Sequence, residues 1–351
     1  MTIFKNSIYR RLCYPLSLIY GAIIRVRNKC YDKNVFRSLK INECRVISVG
    51  NISVGGTGKT PVIKFLAEKL MAEGFKVAIL SRGYKRKSRG SVVVSDGTRV
   101  LTDIHQSGDE PFLLAMNLPD VPIVVESDRY KGALLIAERF QPDVILLDDG
   151  FQHRRLFRDL DIVTVDASTG FGRGFLLPAG FLREPLSSLR RANIIWLTRV
   201  NQGIDTDALI SRIKEITQAP VISSNHQPVE LIHANTHDRL PLSFLSRKKV
   251  LLFSGIANHF AFENTVKALG SNIILHKKFP DHYHYHAQDL QTIAALAQDN
   301  NIQLILTTEK DFVRLKDFIT DNLQIYYLTV EIQICDHEDD LKNILTSIVQ
   351  Y

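Results

Sequence analysis

Six consecutive residues combine the features that bind a phosphate group. Residues 55–60 read GGTGKT and stand between a short apolar run rich in β-branched residues and a segment with helical spacing. Backbone N–H groups of such glycines form a concavity for anions, and the N-terminus of the following helix adds positive potential. A lysine placed here reaches the β- and γ-phosphates of a nucleotide, and the next threonine can ligate Mg²⁺. The predicted nucleotide-binding residues are Gly55, Gly56, Thr57, Gly58, Lys59 and Thr60.

One position departs from the general pattern of such loops, G-x-x-x-x-G-K-[ST]. The residue six positions before Lys59 is Ser53, where the pattern has glycine. An incidental glycine-rich turn would explain neither the Lys-Thr pair nor the strand before it and the helix after it. We therefore expect a true phosphate-binding loop despite Ser53.

Two adjacent carboxylates give the second chemical signal. Residues 144–147 form an unbroken apolar run, typical of a buried parallel strand, and Asp148 and Asp149 follow it directly. Acids at such a position are costly unless they are paired or bind a metal ion. Enzymes with a phosphate-binding loop use an acid here to hold Mg²⁺. The sequence therefore predicts a nucleoside triphosphate site with Mg²⁺, the metal being bound by Thr60 together with Asp148 and Asp149.

Three further segments carry side chains that could act on an acceptor. Arg82 ends a predicted strand on the ligand side of the sheet, where it could hold a phosphorylated substrate. Asp109 and Glu110 open a predicted helix, and helix capping is the simpler explanation for two acids at that point. His282 stands beside Asp281 in the segment FPDHYHYH. Acid–base chemistry, a metal site shared with the other histidines, and no role at all remain alternatives there.

The charge of the chain is concentrated at its N-terminus. The 351 residues carry a formal net charge of +7. Residues 1–40 contain nine Lys or Arg residues and a single acid, Asp32, so the rest of the chain is close to neutral. A diffuse nucleic-acid-binding surface is therefore not expected. The four cysteines show no C-x-x-C pairing, which favours a reducing compartment over a disulfide framework or a zinc site.

The first 40 residues read as an amphipathic, membrane-associating segment. The apolar run at residues 12–24 is shorter than the roughly 20 residues that span a bilayer, and Pro15 interrupts it. Basic residues on both sides suit anionic lipid headgroups, so an interfacial position is expected. A helix packed on the body of the protein is the alternative. The expected apolar and aromatic anchors are Ile3, Phe4, Ile8, Tyr9, Leu12, Leu16, Ile19, Tyr20 and Ile23.

Alternating strands and helices predict an α/β fold with a doubly wound, mostly parallel sheet, as in P-loop NTPases. We expect this domain to cover residues 41–217. Residues 218–247 contain short extended runs and no long helix, so they are predicted to be a two-stranded linker. The α/β pattern restarts in residues 248–351, which predicts a second, smaller lobe. A charged cluster, TEKD, ends a predicted strand of that lobe at residues 308–311 and has no predicted use.

Two classes of function fit these features. A kinase needs a cleft for its acceptor and a group that binds or deprotonates the acceptor hydroxyl. A membrane-attached nucleotide switch or ATPase would instead act on protein partners. The chain has no N-K-x-D sequence of the kind that guanine-nucleotide switches use. The second lobe, the long loops and His282 favour the kinase, and the basic N-terminus suggests an acceptor within a membrane.

The order of the motifs resembles one family of kinases. VGNISVGGTGKTP, LSRGY, GDEP, DDGFQ, LPAG-x-LREP and FPDHY occur in this order, as in the tetraacyldisaccharide 4′-kinases, the lipid A 4′-kinases of Gram-negative bacteria. The resemblance implies ATP- and Mg²⁺-dependent phosphorylation of the 4′-hydroxyl of a tetraacylated glucosamine disaccharide 1-phosphate. The product would be lipid IVA, made at the cytoplasmic face of the inner membrane by a peripheral enzyme with no obligate protein partner. Ser53 is no departure within this family.

The same resemblance implies roles for individual residues. Asp109 and His282 would form a catalytic pair that draws the proton from the 4′-hydroxyl or orients its oxygen. Glu110 would join Thr60 and the two adjacent aspartates near Mg²⁺. The residues implied to line the cleft are Arg129, His153, Arg183 and Glu184, in addition to Arg82.

Overall fold

One continuous sheet of thirteen strands runs through the part of the chain that the computed structural model describes, residues 7–202, 205–319 and 323–349. The strands are β1 (Arg45–Gly50), β2 (Val77–Ser81), β3 (Val92–Asp96), β4 (Pro122–Val125), β5 (Val144–Asp148), β6 (Leu160–Asp166), β7 (Ile194–Thr198), β8 (Val221–His233), β9 (Arg239–Pro241), β10 (Lys249–Ser254), β11 (Asn272–Lys278), β12 (Leu304–Thr308) and β13 (Ile325–Ile334). The order across the sheet is β11-β10-β12-β13-β8-β7-β6-β1-β5-β2-β4-β3, and β9 pairs with β8.

Helices cover both faces of the sheet. They are α1 (Ser7–Asp32), α2 (Lys59–Ala72), α3 (Ile104–Ser107), α4 (Asp109–Asn117), α5 (Arg129–Phe140), α6 (Thr206–Lys214), α7 (His259–Ala268), α8 (Ala287–Asp299), α9 (Glu309–Leu315) and α10 (Glu338–Val349). The long glycine-rich loop after β6 is followed by a 3₁₀ helix, Leu186–Arg191. The expected α/β fold with a mostly parallel sheet and a second, smaller α/β lobe is confirmed.

The N-terminal lobe, built on strands β1 to β7, places the two strongest sequence signals side by side. All of its neighbouring strands are parallel except β3 and β4. Side chains alternate between the faces of β1, so Ile47 packs in one core with α2 and Val46 packs in another with α5. In the β1–β5 pair, Val49 is in register with Asp148. The glycine-rich loop after β1 therefore begins next to the carboxylates at the end of β5.

The C-terminal lobe, built on β10, β11 and β12 with α7, α8 and α9, joins the first lobe through two long strands. β8 pairs with β7 at its start, through Val221–Ser223, and then runs antiparallel to β13. The expected linker at 218–247 thus contains one of the two crossing strands. The second crossing strand, β13, comes from the far end of the chain, and the short strand β9 only borders β8.

The expected boundary of the second lobe at residues 248–351 is wrong at its C-terminal end. After β13 the chain returns to the N-terminal lobe, where Leu341 and Leu345 of α10 pack in the core that contains α2. Two surface ion pairs join the same parts of the chain: Lys69 of α2 pairs with Glu338 at 2.7 Å, and Glu73, the residue after α2, pairs with Lys342 at 3.0 Å. The sequence pattern of α10 shows an apolar face, but it cannot show which lobe that face covers.

Helix α1 has one packed face and one exposed apolar face, so the helix does pack on the body of the protein, while its association with a membrane stays a prediction. Ser17, Gly21, Ile24 and Asn28 are buried against the body of the protein. The exposed large apolar residues of the helix include Ile8, Leu12, Leu16, Leu18, Ile19, Ile23 and Val26. Among the described residues, no helix combines the length and apolar character needed to cross a bilayer. The expected anchors Ile3 and Phe4 lie outside the described residues.

Candidate active site

A cavity of about 760 Å³ lies between the two lobes. The glycine-rich loop and the ends of β2 and β5 form its N-terminal wall, and residues of α7, α9 and the loop after β11 form its C-terminal wall. Because the carboxyl ends of parallel strands meet at this edge, loops from both lobes converge there. Among the sequence-predicted residues, all six of the glycine-rich loop line the cavity, as do Arg82, Glu110, Asp148, Asp149, His153, Arg183 and His282.

The glycine-rich loop is fixed by hydroxyl groups and by close packing. The Thr57 hydroxyl lies 2.7 Å from that of Thr164, and it accepts a hydrogen bond from Asn51 at 3.0 Å. Gly58 has a positive φ of 81°, which favours glycine, and a Cβ at this position would lie 2.8 Å from Nε2 of His226. Helix α2 begins at the next residue, so the loop has the strand–turn–helix context that phosphate binding requires.

The two adjacent aspartates have opposite surroundings. Asp149 accepts two hydrogen bonds from Arg183, at 2.9 and 3.0 Å, and its Oδ1 lies 3.4 Å from Lys59 Nζ. Burial opposes its ionisation, but these cations outweigh burial and hold the pKa of Asp149 well below its usual range. Asp148 receives one hydrogen bond, from Ser81 at 2.8 Å, and its buried Oδ1 has no partner. Burial, followed by the nearby charge of Glu110, raises the pKa of Asp148 to about 6.

The cavity fits a magnesium ion that draws most of its ligands from phosphate and water. In the described ranges no three His, Cys, Asp or Glu side chains cluster closely enough to form a complete metal site. Mg²⁺ commonly uses only one or two carboxylates together with nucleotide phosphates and water. The unpartnered Asp148 oxygen, and the repulsion between Asp148 and Glu110, are what a bound cation would relieve. Asp149 is already neutralised by Lys59 and Arg183, so it is less suited to direct ligation.

Asp109 and His282 meet across the cleft. Asp109 is the first residue of α4, and its Oδ2 lies 2.8 Å from Nδ1 of His282 in the opposite lobe. Arg314 of α9 donates two hydrogen bonds to the same oxygen, one of them at 2.8 Å from Nε. Burial opposes ionisation of Asp109, yet the His282 hydrogen bond and the charges of Lys310 and Arg314 hold its pKa well below the usual range. The carboxylate is therefore engaged with the other lobe and does not cap α4.

Glu110 has a partner in the C-terminal lobe as well. Its Oε1 accepts a hydrogen bond from Lys310 Nζ at 2.8 Å, and the same ammonium lies 3.4 Å from Nε2 of His282. His282 itself is held by a backbone bond of 3.1 Å to Gly255 O and adopts a positive φ of 57°. The Tyr84 ring stands edge-on to its imidazole at 5.3 Å. Helix capping was the simpler explanation for Asp109 and Glu110 from the sequence. The structure shows instead that both carboxylates bind side chains of the C-terminal lobe.

Two of the residues expected to line the cleft lie behind its wall. Arg129 is 3% exposed and donates to Glu126 O at 2.7 Å, while two other guanidinium nitrogens are buried without a partner. Burial lowers its pKa to about 10. Glu184 is fully buried between Arg191, at 2.9 Å, and Asn28 of α1, at 2.8 Å. Its position suggests that it seats α1 against the loop of Arg183, and direct contact with an acceptor is not expected.

Sequence reasoning missed Lys310 and Arg314. The charged cluster at residues 308–311 was visible at the end of a predicted strand, and Lys310 belongs to it. Its partner Glu110 is 200 residues away in the chain, so no spacing rule connects them. Arg314 follows on α9, which begins at Glu309 directly after β12.

A phosphate-binding loop, strand-end acids and an Asp–His pair that joins the two sides of the same cleft define a kinase of the P-loop class. The family model described as tetraacyldisaccharide-1-P 4′-kinase matches residues 9–350. The chain belongs to this family.

Known relatives agree over nearly the whole chain. The tetraacyldisaccharide 4′-kinase of Syntrophus aciditrophicus is 39% identical, covering 94% of this chain and 90% of the relative. That of Chlorobium chlorochromatii is 38% identical, covering 96% and 93%. The crystal structure of LpxK from Aquifex aeolicus in complex with ATP superposes with a TM-score of 0.77 at 34% identity, covering 97% and 99% of the two chains. The resemblance seen in the sequence is confirmed, and a nucleotide switch acting on protein partners is not favoured.

Proposed function

We propose that this protein transfers the γ-phosphate of ATP to the 4′-hydroxyl of a tetraacylated glucosamine disaccharide 1-phosphate and so forms lipid IVA. The observation that carries the proposal is the Asp109–His282 contact of 2.8 Å, which closes across the cavity that also holds the glycine-rich loop. An ATPase that acts through partners needs no acid–base pair formed between the two lobes beside the nucleotide site. The relatives are named for the same acceptor, which supports this choice.

The proposed reaction is a direct phosphoryl transfer. Asp109 bonds to Nδ1 of His282, which leaves Nε2 as the ring nitrogen that can accept the 4′-hydroxyl proton. The sugar oxygen forms the new bond to the γ-phosphorus, the bond from that phosphorus to the β–γ bridging oxygen breaks, and ADP leaves with its electron pair. Lys59 and the loop N–H groups would bind the phosphates. Mg²⁺, when bound, would neutralise phosphate charge, and Asp148, Glu110 and Thr60 are the residues suited to hold it.

Helix α1 supports a position at the surface of a membrane. Its exposed apolar residues lie on a helix rich in Arg and Lys, which suits the anionic headgroups of the cytoplasmic leaflet. The same helix reaches the cavity: Tyr20, Ile24 and Arg27 are among its lining residues. An acyl chain leaving the bilayer would therefore meet the active site along α1. We propose a peripheral protein at the cytoplasmic face of the inner membrane.

One assay tests the proposed reaction. The full chain is incubated with γ-labelled ATP, Mg²⁺ and the purified disaccharide 1-phosphate in mixed micelles, and label in the lipid is separated from free phosphate. Transfer to the 4′ position is expected, and the Asp109→Asn variant should lower kcat by on the order of 10²-fold with little change in ATP affinity. Phosphate release without labelled lipid would contradict the proposal, as would near-normal turnover by the variant.

Membrane association has its own test. Leu12→Asp with Leu16→Asp should reduce co-sedimentation with vesicles rich in anionic lipid, because both side chains are exposed on α1. Phe260→Asp with Phe318→Asp is the matched control, since it adds the same two charges at side chains that are 67% and 40% exposed in the C-terminal lobe. Equal sedimentation of the α1 variant and the control would refute the role of α1.

A further inference from the structure

The start of α9 brings one lysine into the cavity on a rigid support. Thr308 and Asp311 bond to each other through their side chains at 2.7 Å. The other oxygen of Asp311, a fully buried residue, accepts hydrogen bonds from Gly255 N and the Tyr285 hydroxyl, each at 3.0 Å. The backbone of Lys310 lies between these two fixed residues, so the ammonium group is presented to the cavity from a well-defined position.

The Lys310 ammonium lies between the two groups that the reaction brings together. Its Nζ is 2.8 Å from Glu110 Oε1 on one side and 3.4 Å from His282 Nε2 on the other. The first group faces the magnesium and phosphate region, and the second is the nitrogen that would take the acceptor proton. The γ-phosphorus has to pass between these regions to reach the acceptor oxygen. A cation at this point is close to the charge that develops during transfer.

Lys310 is paired with an acid of the opposite lobe, Glu110, through a hydrogen bond of 2.8 Å. Lys59 enters the cavity from the opposite wall, at the glycine-rich loop. The site therefore has one lysine from each lobe.

We propose that Lys310 is a catalytic residue that contacts the transferred γ-phosphoryl group from the C-terminal lobe, and that Glu110 holds it in place before the nucleotide binds. This inference rests on the proposed kinase function. Under this proposal Glu110 has two successive partners. It pairs with Lys310 before the nucleotide binds and would face Mg²⁺ afterwards. ADP, in contrast to ATP, offers the ammonium no phosphoryl group in that position.

A purely structural ion pair makes a different prediction. If Lys310 only tied the lobes together, its loss would weaken the binding of every nucleotide that lies between them. If it contacts the γ-phosphoryl group, its loss should weaken binding of a triphosphate and leave a diphosphate almost unaffected. The ratio of the two affinities therefore separates the two roles without any acceptor lipid, and independently of whether the disaccharide is the substrate.

The experiment compares the binding of Mg²⁺–AMP-PNP and Mg²⁺–ADP to the full chain by calorimetry. The unmodified protein should bind AMP-PNP about tenfold more tightly than ADP, which corresponds to about 1.4 kcal/mol. Lys310→Met should abolish most of this preference and, in the transfer assay, lower kcat by on the order of 10²-fold, while Lys310→Arg should restore part of both.

The matched control is Lys278→Met, which removes a lysine of the same lobe that pairs with Glu263 at 3.4 Å on the surface. This control variant should change neither the ratio of the AMP-PNP and ADP affinities nor kcat. An unchanged affinity ratio in Lys310→Met would overturn the proposal, as would equal losses for both nucleotides or the lack of any preference in the unmodified protein. A different result would count against the proposed acceptor and not against Lys310. In that case the unmodified protein would fail to phosphorylate the lipid, while Lys310→Met would still lose the preference for AMP-PNP over ADP.

Discussion

At the scale of single residues, neighbours decide what each acid can do. Asp148 and Asp149 are adjacent in the chain, yet one has an unpartnered oxygen and a raised pKa while the other is neutralised by Lys59 and Arg183. The backbone explains part of the difference, since Asp149 follows the end of β5 with a positive φ of 51°. The turn directs its carboxylate towards the glycine-rich loop. Residue type and strand position predicted the pair, but not this division.

Arg314 is expected to act as a positioning residue for Asp109. Besides its two bonds to Asp109, it donates to Gly255 O at 2.9 Å and to Asp311 at 3.1 Å, so its guanidinium is held on several sides. Arg314→Lys keeps the charge and loses the fork geometry. We expect a fall in kcat of about tenfold with unchanged ATP affinity, because the loop residues are untouched. A variant that lost ATP binding and kcat in parallel would instead indicate a general structural role.

His226 gives the protein a predictable sensitivity to acid. Burial, reinforced by the charge of Arg199, lowers its pKa well below the usual 6.5. The unfolded chain then binds a proton that the folded chain excludes, so stability is lost as the pH falls below about 6.5. When the pH is lowered from 8 to 5.5, the melting temperature of the variant His226→Gln should fall less than that of the unmodified protein. Parallel pH profiles for the two proteins, measured by calorimetry, would contradict this assignment.

The residue scale also shows where sequence reasoning stops. The loop residues and the strand-end acids could be predicted because their function depends on local spacing. Asp109 and His282 could be paired only by resemblance to a family, since 173 positions separate them. Arg314 carried no signal at all, because a single arginine on a short helix is typical of a solvated surface. Its role appears only once both lobes are folded.

At the scale of elements, the turn between β1 and α2 determines whether a nucleotide can bind. The sequence predicted both elements from a β-branched run and a helical apolar pattern, and both are present. The position of His226 against this turn was not predictable, because it comes from β8 in the region expected to be a linker. The turn therefore depends on a strand that also connects the lobes.

Gly58→Ala should damage this turn in two ways. The positive φ of 81° costs an L residue about 1–2 kcal/mol, and a Cβ at this position would lie 2.8 Å from His226 Nε2. We expect a loss of ATP affinity of at least tenfold with a modest fall in melting temperature, measured by calorimetry. Gly74→Ala is the control, because its φ of 88° carries the same backbone cost and a Cβ there meets nothing within 4 Å. Equal ATP affinity in the two variants would show that the contact with His226 is unimportant.

Helix α1 illustrates why an element cannot be tested by removing it. Its Tyr20 hydroxyl donates to Arg183 O at 2.8 Å, and its Asn28 donates to Glu184 at 2.8 Å. Deletion of the helix would disturb the loop of Arg183 as well as any contact with lipid. Substitutions on the exposed face, such as those at Leu12 and Leu16, separate the two effects because these side chains are mostly exposed.

At the scale of the whole molecule, the two lobes are tied together more tightly than a linear division predicts. The sequence indicated two α/β parts in succession, and the sheet contains both. The chain, however, crosses between them twice, through β8 and β13, and it ends on the first lobe with α10. Hydrophobic periodicity predicts that α10 is a helix. The lobe on which this helix packs depends on the path of β13. The cleft therefore lies between two lobes that share one sheet.

The return of α10 should make the N-terminal lobe depend on the last residues of the chain. Leu345 is 5% exposed in the core that also contains Trp196, the single tryptophan of the sequence. Leu345→Ala should lower the free energy of unfolding by about 2–5 kcal/mol, because it leaves a cavity in that core. Denaturant titrations followed by Trp196 fluorescence report on the N-terminal lobe directly. Asn343→Ala, on the exposed side of α10, should leave the midpoint almost unchanged. If the Trp196 transition of Leu345→Ala matched that of this control, α10 would not stabilise the N-terminal lobe.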